Sequence, residues 1–424
     1  MKTSLGLRML IMSGVTLLLM IPAAMIQSLI HEREHRRDAA VMEVREKWGG
    51  AQTVAAPIMT IPFNSFRVTE EGKKIVRREY AHFLPQQLQI EASLLPEIRY
   101  RGIYQVVLYA AEIGVSGSFS IESGKRQFKA AAEILWTETF LTLGISDVKG
   151  VNRSVQVRWN ESEFDAEPGV LSNEVVQSGL HFRAPIDLNQ QSFSFSFSLA
   201  LRGSEKLTFI PLGKETRVAM SSSWPDPSFT GGYLPFAREV RTDGFKAEWN
   251  VLHLARNFPQ HWTGDKYDVN QAAFGVDLLI PVDAYQKSIR SAKYAILFIT
   301  LTFLTFFVIE LLNGAPLHPI QYLLIGFGLL LFYTLLLSIS EHISFGGAYI
   351  VAASGTILMI AIYTRWILFK KRIALLVGMV LALFYGALYI ILQLHAGFCT
   401  SGRKRVIICR VVHGDVSNAI YQLV

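Results

Sequence analysis

The stretch YAILFITLTFLTFFVIELL, Tyr294 to Leu312, carries one charge, Glu310, near its end. That is the length and apolarity of a helix that crosses the ~30 Å hydrocarbon core of a bilayer. Three more apolar spans follow, Ile320 to Ile339, Ala348 to Tyr363 and Ile373 to Leu392, so this end of the chain reads as four membrane helices. The whole composition agrees, since 51% of the 424 residues are hydrophobic and only 18% are charged, too apolar for an ordinary soluble protein. A formal charge of +7 spread over that length forms no nucleic-acid footprint.

Upstream of Lys293 the pattern changes. In SFSFSFSLAL, residues 192 to 201, Phe193, Phe195 and Phe197 share one face, the period-two alternation of a half-buried strand. YQVVLYAAEIGVSGSFSI, VQVRW, LTFIPL and FKAEWNV repeat the signal between Gly, Pro, Asn and Ser punctuation. No strand and helix alternation appears, so an antiparallel, sandwich-like β-rich domain is expected, as one large sandwich or two smaller ones.

At the other end, Lys2 and Arg8 precede an apolar run from Met9 to Ile30. It exceeds the ~7–15 apolar residues of a signal peptide and reads as a retained anchor. The charged stretch HEREHRRDAAVMEVREKWGG continues it as a juxtamembrane helix that Gly49-Gly50 stops. The expected fold class is therefore a membrane protein, an α-helical transmembrane bundle plus a large β-rich periplasmic domain. Its segments are an anchor (1–30), a juxtamembrane helix (31–51), the β-rich domain (52–290), four spans (291–394) and a tail (395–424). Arg365, Lys370, Lys371 and Arg372 crowd the loop between the last two spans, which marks that loop as cytoplasmic. Counting back by parity puts residues 31–290 outside and the N-terminus inside, in agreement with Lys2 and Arg8.

Few residues suggest chemistry. His31-Glu32-Arg33-Glu34-His35 fits H-E-x-x-H, whose histidines bind zinc from one helix face. Here Arg33, Arg36 and Arg37 oppose a dication, so a solvated juxtamembrane helix is the better reading. Trp224-Pro225-Asp226-Pro227-Ser228-Phe229 is too Pro-rich for a central strand and is expected to form a rigid loop. Its aromatics either close the end of the sandwich or meet a glycan, a peptide or the membrane surface. No nucleophile elbow, phosphate-cradling glycine loop or close carboxylate pair appears, so no catalytic residue, cofactor or metal is expected. Ionisable groups near the spans are expensive and therefore informative. Glu310 and His318 flank one short turn, while Lys293 and Glu341-His342 lie at matching distances on the other side. The expectation is interfacial snorkelling or a clamp that pairs Glu310 with His318 and Lys293 with Glu341.

AAPIMTIPF (55–63), SSSWPDPSFTGGYLPFAREV (221–240), GFKAEW (244–249), SAKYAILFIT (291–300, with Lys293 and Tyr294), LHPIQYLLIG (317–326, with His318, Pro319, Gln321 and Tyr322) and LLLSISEH (335–342) together resemble the CreD family. These are cell envelope integrity proteins of the Gram-negative inner membrane, and the likeness covers about residues 1–394. The resemblance implies an envelope-stress protein, produced under a two-component regulator and linked to colicin tolerance and β-lactam response. It carries no catalytic assignment. The implied function is structural or sensing, with transport accessory and envelope hydrolase as alternatives. The implied partners are the lipid bilayer and other envelope proteins or envelope glycan, with no nucleic acid.

The tail departs from this pattern. Arg403, Lys404, Arg405 and Arg410 against Asp415 place basic charge on the side that disfavours it, and both cysteines, Cys399 and Cys409, fall here. The resemblance implies an ending with a QDFALL-type segment, a sixth span and a TR-x-x-x-W terminus, and one permitted translation of the tail's codons in the second frame supplies all three. A frameshift near Leu394 is the expectation.

Overall fold

The computed structural model describes residues 5–68, 74–121, 128, 131–186, 190–278, 284–313 and 317–400. They fall into two compact units, Ala39–Pro281 and a second that joins Met1–Asp38 to Val282–Val424. The five apolar helices and the large, mainly antiparallel β region expected from sequence are both present. Residues 401–424, and with them most of the tail, lie outside the described residues.

The β unit contains β1 (Gln52–Val68), β2 (Lys74–Phe83), β3 (Gln87–Arg101), β4 (Tyr104–Ser120), β5 (Ala131–Ile134) and β6 (Phe140–Ile145). Next come β7 (Gln156–Trp159), β8 (Ser162–Asp165), β9 (Glu167–Pro168), β10 (Gly179–Arg183), β11 (Ser192–Ser204) and β12 (Lys206–Ile210). The last are β13 (Glu215–Ser222), β14 (Pro227–Gly231), β15 (Ala237–Arg241), β16 (Gly244–Leu252), β17 (His261–Thr263) and β18 (Phe274–Leu278). One sheet runs β14-β18-β12-β1-β6-β10-β9, with β2 and β5 also on β1 and β17 on β2. The other runs β15-β16-β13-β3-β4-β11-β7-β8. Two pairings, β1 with β12 and β13 with β3, are parallel, a departure from the antiparallel expectation. Each is reached through long intervening segments, as parallel neighbours require.

A single apolar cluster fills the space between the sheets, so the region is one sandwich rather than two. Phe193, Phe195 and Phe197 of β11 point into it while Ser194 and Ser198 stay exposed, as the alternation predicts. Phe193 stacks on Trp159 at 5.4 Å and Phe195 meets Phe119 at 5.2 Å. Each buried ring contributes ~1.5–3 kcal/mol through burial. Residues 39–48 also belong to this unit as the end of helix α1 (Leu5–Trp48). The Trp48 ring meets the guanidinium groups of Arg99 and Arg202, at 4.2 and 4.6 Å from its centroid. Glu43 pairs with Arg101 at 2.8 Å, and Val41 packs with Val106 and Leu108. Gly49 stops the helix with φ +136°, where an added Cβ would come within 2.9 Å of the Arg202 carbonyl oxygen.

The helical unit holds the first part of α1 with α2 (Ala284–Lys293), α3 (Ala295–Asn313), α4 (Pro319–Ser340), α5 (Phe345–Leu368) and α6 (Lys371–Thr400). Residues 284–290, read from sequence as the end of the β-rich domain, instead form most of α2. That stretch, AYQKSIR, is amphipathic with a helical period, and its short length hid the pattern beside the strands. Residues 395–400 continue the backbone of α6. Gly326 of α4 receives Leu19 of α1 so closely that a Cβ would stand 2.1 Å from its Cδ1. Such small-residue contacts substitute for the hydrophobic drive that lipid removes. Across α4, α5 and α6, Phe332 meets Tyr349 at 5.3 Å and Tyr385 at 4.6 Å, and the Tyr349 hydroxyl donates to the Tyr385 carbonyl at 2.7 Å.

Candidate functional site

Two clusters of paired charge stand out in the helical unit. In the first, Arg8 of α1 donates from Nη1 to Oε1 of Glu310 on α3 at 2.7 Å, and the Tyr322 hydroxyl of α4 donates to Oε2 at 3.1 Å. Glu310 is only 4% exposed, so a carboxylate there requires both partners. The three donors and acceptors lie on three helices and form a clamp rather than a free base. His318 does not pair with Glu310 as predicted. Its Nδ1 accepts from the Ile320 amide at 3.3 Å while Gln321 Oε1 accepts from the His318 amide at 2.9 Å, a capping box with Pro319 in the first turn. The carboxylate prefers a guanidinium supplied by α1, a partner too distant in sequence for spacing to suggest. A cavity of about 260 Å³ opens beside this cluster, lined by Arg8, Met12, Phe307, Glu310, His318 and Tyr322.

In the second cluster, Glu341 caps the end of α4. Its Oε1 accepts from the Tyr285 hydroxyl at 3.0 Å, and Arg33 Nη1 stands 3.9 Å from Oε2. Arg37 lies over the Tyr285 ring at 5.6 Å. The predicted partner, Lys293, is exposed, and among the described residues the hydrogen bonds and ion pairs of Glu341 go to Tyr285 and Arg33. Amphipathic α2 explains the difference, because it brings Tyr285 to the carboxylate two turns before Lys293. His342 and Tyr294 are exposed. In H-E-x-x-H, His31 lies 3.5 Å from Glu34, and Glu32 pairs with Arg36 at 2.6 Å on the exposed side of α1.

In the β unit the Pro-rich segment is not wholly a loop. Pro227–Gly231 forms β14 and pairs with β18. The prolines are compatible with a strand here because β14 is the edge of its sheet. Trp224 is buried, whereas Pro225 is exposed. Phe229 contacts Phe245 and Trp249, both at 5.8 Å, and these belong to the opposite sheet. The segment therefore braces the end of the sandwich.

Sequence reasoning passed over Arg256. It is 8% exposed and donates from Nη1 to the carbonyls of Pro211 and Leu212, both at 2.8 Å, with Gln260 on Nη2 and the Phe258 ring 4.4 Å away. Burial pulls its pKa down to about 10, which leaves it protonated at neutral pH. A lone Arg in a turn gives no periodic signal, so only the fold reveals it.

A family model described as Inner membrane protein CreD matches residues 4–397. The inner membrane protein CreD of Escherichia coli (strain K12) is 34% identical over 373 residues, which cover 87% of this chain and 82% of that one. The chain belongs to the CreD family. Both clusters and the brace at Trp224 to Phe229 lie within the span matched to CreD, as do all five apolar helices. This CreD-family chain is thus a multi-helix protein of the inner membrane with a large β-rich domain.

Proposed function

We propose that this protein maintains the cell envelope without catalysing a reaction. In this reading its N-terminus is cytoplasmic, residues 31–290 face the periplasm, and the β sandwich senses or supports the envelope under stress, including colicin and β-lactam challenge. Its partners there are other envelope proteins or envelope glycan. The observation that carries the reading is α1, one helix that supplies Arg8 to the buried ion pair of the helical unit and Trp48 to the β unit. A helix shared in this way suits a sensing or supporting role, and the charged clusters near it are saturated by their own neighbours. Basic loop residues support the orientation.

The test is complementation in cells that lack the gene and are challenged with colicin. The double variant His31→Ala with His35→Ala is expected to restore tolerance as fully as the unaltered chain. Loss of tolerance together with loss of bound zinc would overturn the reading in favour of a metal-dependent hydrolase.

A further inference from the structure

The outer face of the 8-stranded sheet carries a cavity of about 420 Å³, within the ~300–1,000 Å³ of small-molecule sites. Its lining follows the strand register. Arg217 of β13 aligns with Gln89 of β3, Gln89 with Ser116 of β4, Ser116 with Ser196 of β11, and Ser196 with Arg158 of β7. Four strand spacings make this row about 19 Å long. A second row beside it runs Glu215, Gln87, Ser118 and Ser194. The strands that bear the serines and glutamines are paired on both sides, so the face is preformed on rigid elements.

We propose that this concave face binds an acidic oligosaccharide. Hydroxyl and amide side chains both donate and accept, which matches the vicinal hydroxyls of a sugar. Among the described residues, the hydroxyls of Ser116, Ser118 and Ser196 make no hydrogen bond to another protein group, and these half-exposed groups stand in the middle of the two rows. The side chains directed outward along the two rows are all polar, and Leu88, Gly117 and Phe195 complete the lining, a mixture that suits the hydroxyl and C–H faces of a sugar. An extended peptide finds no free edge, because the central strands are already paired. Arg217 and Arg158 stand too far apart to converge on one anion, and they suit acidic groups spaced along a polymer. Arg217 is tied to Glu215 at 2.7 Å and Arg158 to Glu163 at 3.2 Å, but both arginines are more than 60% exposed. Exposed pairs are worth ~0–1 kcal/mol, so a carboxylate of the ligand displaces them readily. Balanced by those glutamates, the face lacks the positive field that nucleic acid requires. The inference rests on the periplasmic placement of the β unit for its biological meaning, since acidic saccharide meets this face only outside the inner membrane.

The experiment uses the full chain in detergent micelles and isothermal titration with tetragalacturonate, maltotetraose and tetraglutamate. Tetragalacturonate is expected to bind, and Ser196→Leu or Ser116→Leu, each at an outward position, is expected to weaken it by at least about tenfold with an unchanged melting temperature. Arg158→Gln with Arg217→Gln is expected to weaken the acidic sugar and leave the neutral one as before. Absence of tetragalacturonate binding overturns the proposal, as does binding by both leucine variants equal to that of the unaltered chain, or maltotetraose binding as tight as that of tetragalacturonate. Tighter binding of tetraglutamate also overturns it and makes the face a peptide site. Topology fusions bear on placement alone, so binding in micelles with a cytoplasmic β unit would retain the site and remove the proposed function.

Discussion

Glu310 has both carboxylate oxygens occupied, by Arg8 and by Tyr322, at a position almost closed to solvent. Removing one partner of a buried pair usually costs ~3–5 kcal/mol. Arg8 retains 27% exposure and can snorkel to the interface, so the loss for Glu310→Ala is expected nearer ~1–2 kcal/mol, the upper range for polar contacts in membranes. A double-mutant cycle with Arg8→Ala, read by unfolding in micelles, should show coupling; additive losses would dismiss the clamp. For Glu341 the cycle should distinguish its partners: Tyr285→Phe couples to Glu341→Gln, whereas Lys293→Ala adds independently. In the β unit, Asp277 Oδ1 is buried without a hydrogen bond and stands 3.8 Å from Lys206 Nζ. Burial raises its carboxyl pKa, with Lys206 partly opposing. A folded pKa above the unfolded value means that the penalty for the ionised group is full at neutral pH and vanishes as pH falls through the folded value toward ~3.9. Asp277→Asn should therefore raise the melting temperature at neutral pH, with a gain that shrinks toward about pH 4; a gain independent of pH would refute burial as its cause.

Elements differ in how much of them the sequence discloses. The membrane helices are legible because twenty apolar residues have few other uses, and β11 because serine and phenylalanine alternate without error. The parallel pairings are not legible, since alternation tells which face of a strand is buried and nothing about its neighbour. Helix α2 and strand β14 were missed for local reasons, one too short to establish a period and the other marked by prolines that only an edge position tolerates. The candidate residues were legible as costly groups, but their partners were not, because Arg8 and Glu310 are brought together only by packing. Helix α1 ends in Trp48, an aromatic ring that meets two arginines, and each such contact is worth ~0.5–1 kcal/mol at an exposed site. Trp48→Ala should lower the unfolding free energy of the β unit by roughly 1–3 kcal/mol, ring burial included. Trp48→Phe should recover part of that. Unchanged melting would mean that the last turns of α1 contribute nothing to the sandwich.

For the whole molecule, the distribution of charge decides which way the helices cross. Arg365 ends α5, and Lys371 and Arg372 open α6, whereas the turn between α4 and α5 contains Glu341 and no lysine or arginine. Positive residues near span ends are retained on the cytoplasmic side, and on that ground we propose that the turn after α5 faces inward. Each crossing reverses the side. On that proposal, α5, α4 and α3 return the chain to the side opposite the cytoplasm at α2, and α1 then brings its N-terminus back inside, an expectation that the basic residues Lys2 and Arg8 share. The charges at the two ends of the helical unit thus lead to the same proposed orientation. A reporter enzyme active only in the periplasm should work when fused after Gln286 and stay silent when fused after Lys371. Activity at Lys371 with silence at Gln286 would invert the topology, put the β sandwich in the cytoplasm, and take with it the envelope role, since no envelope component would then reach the sandwich.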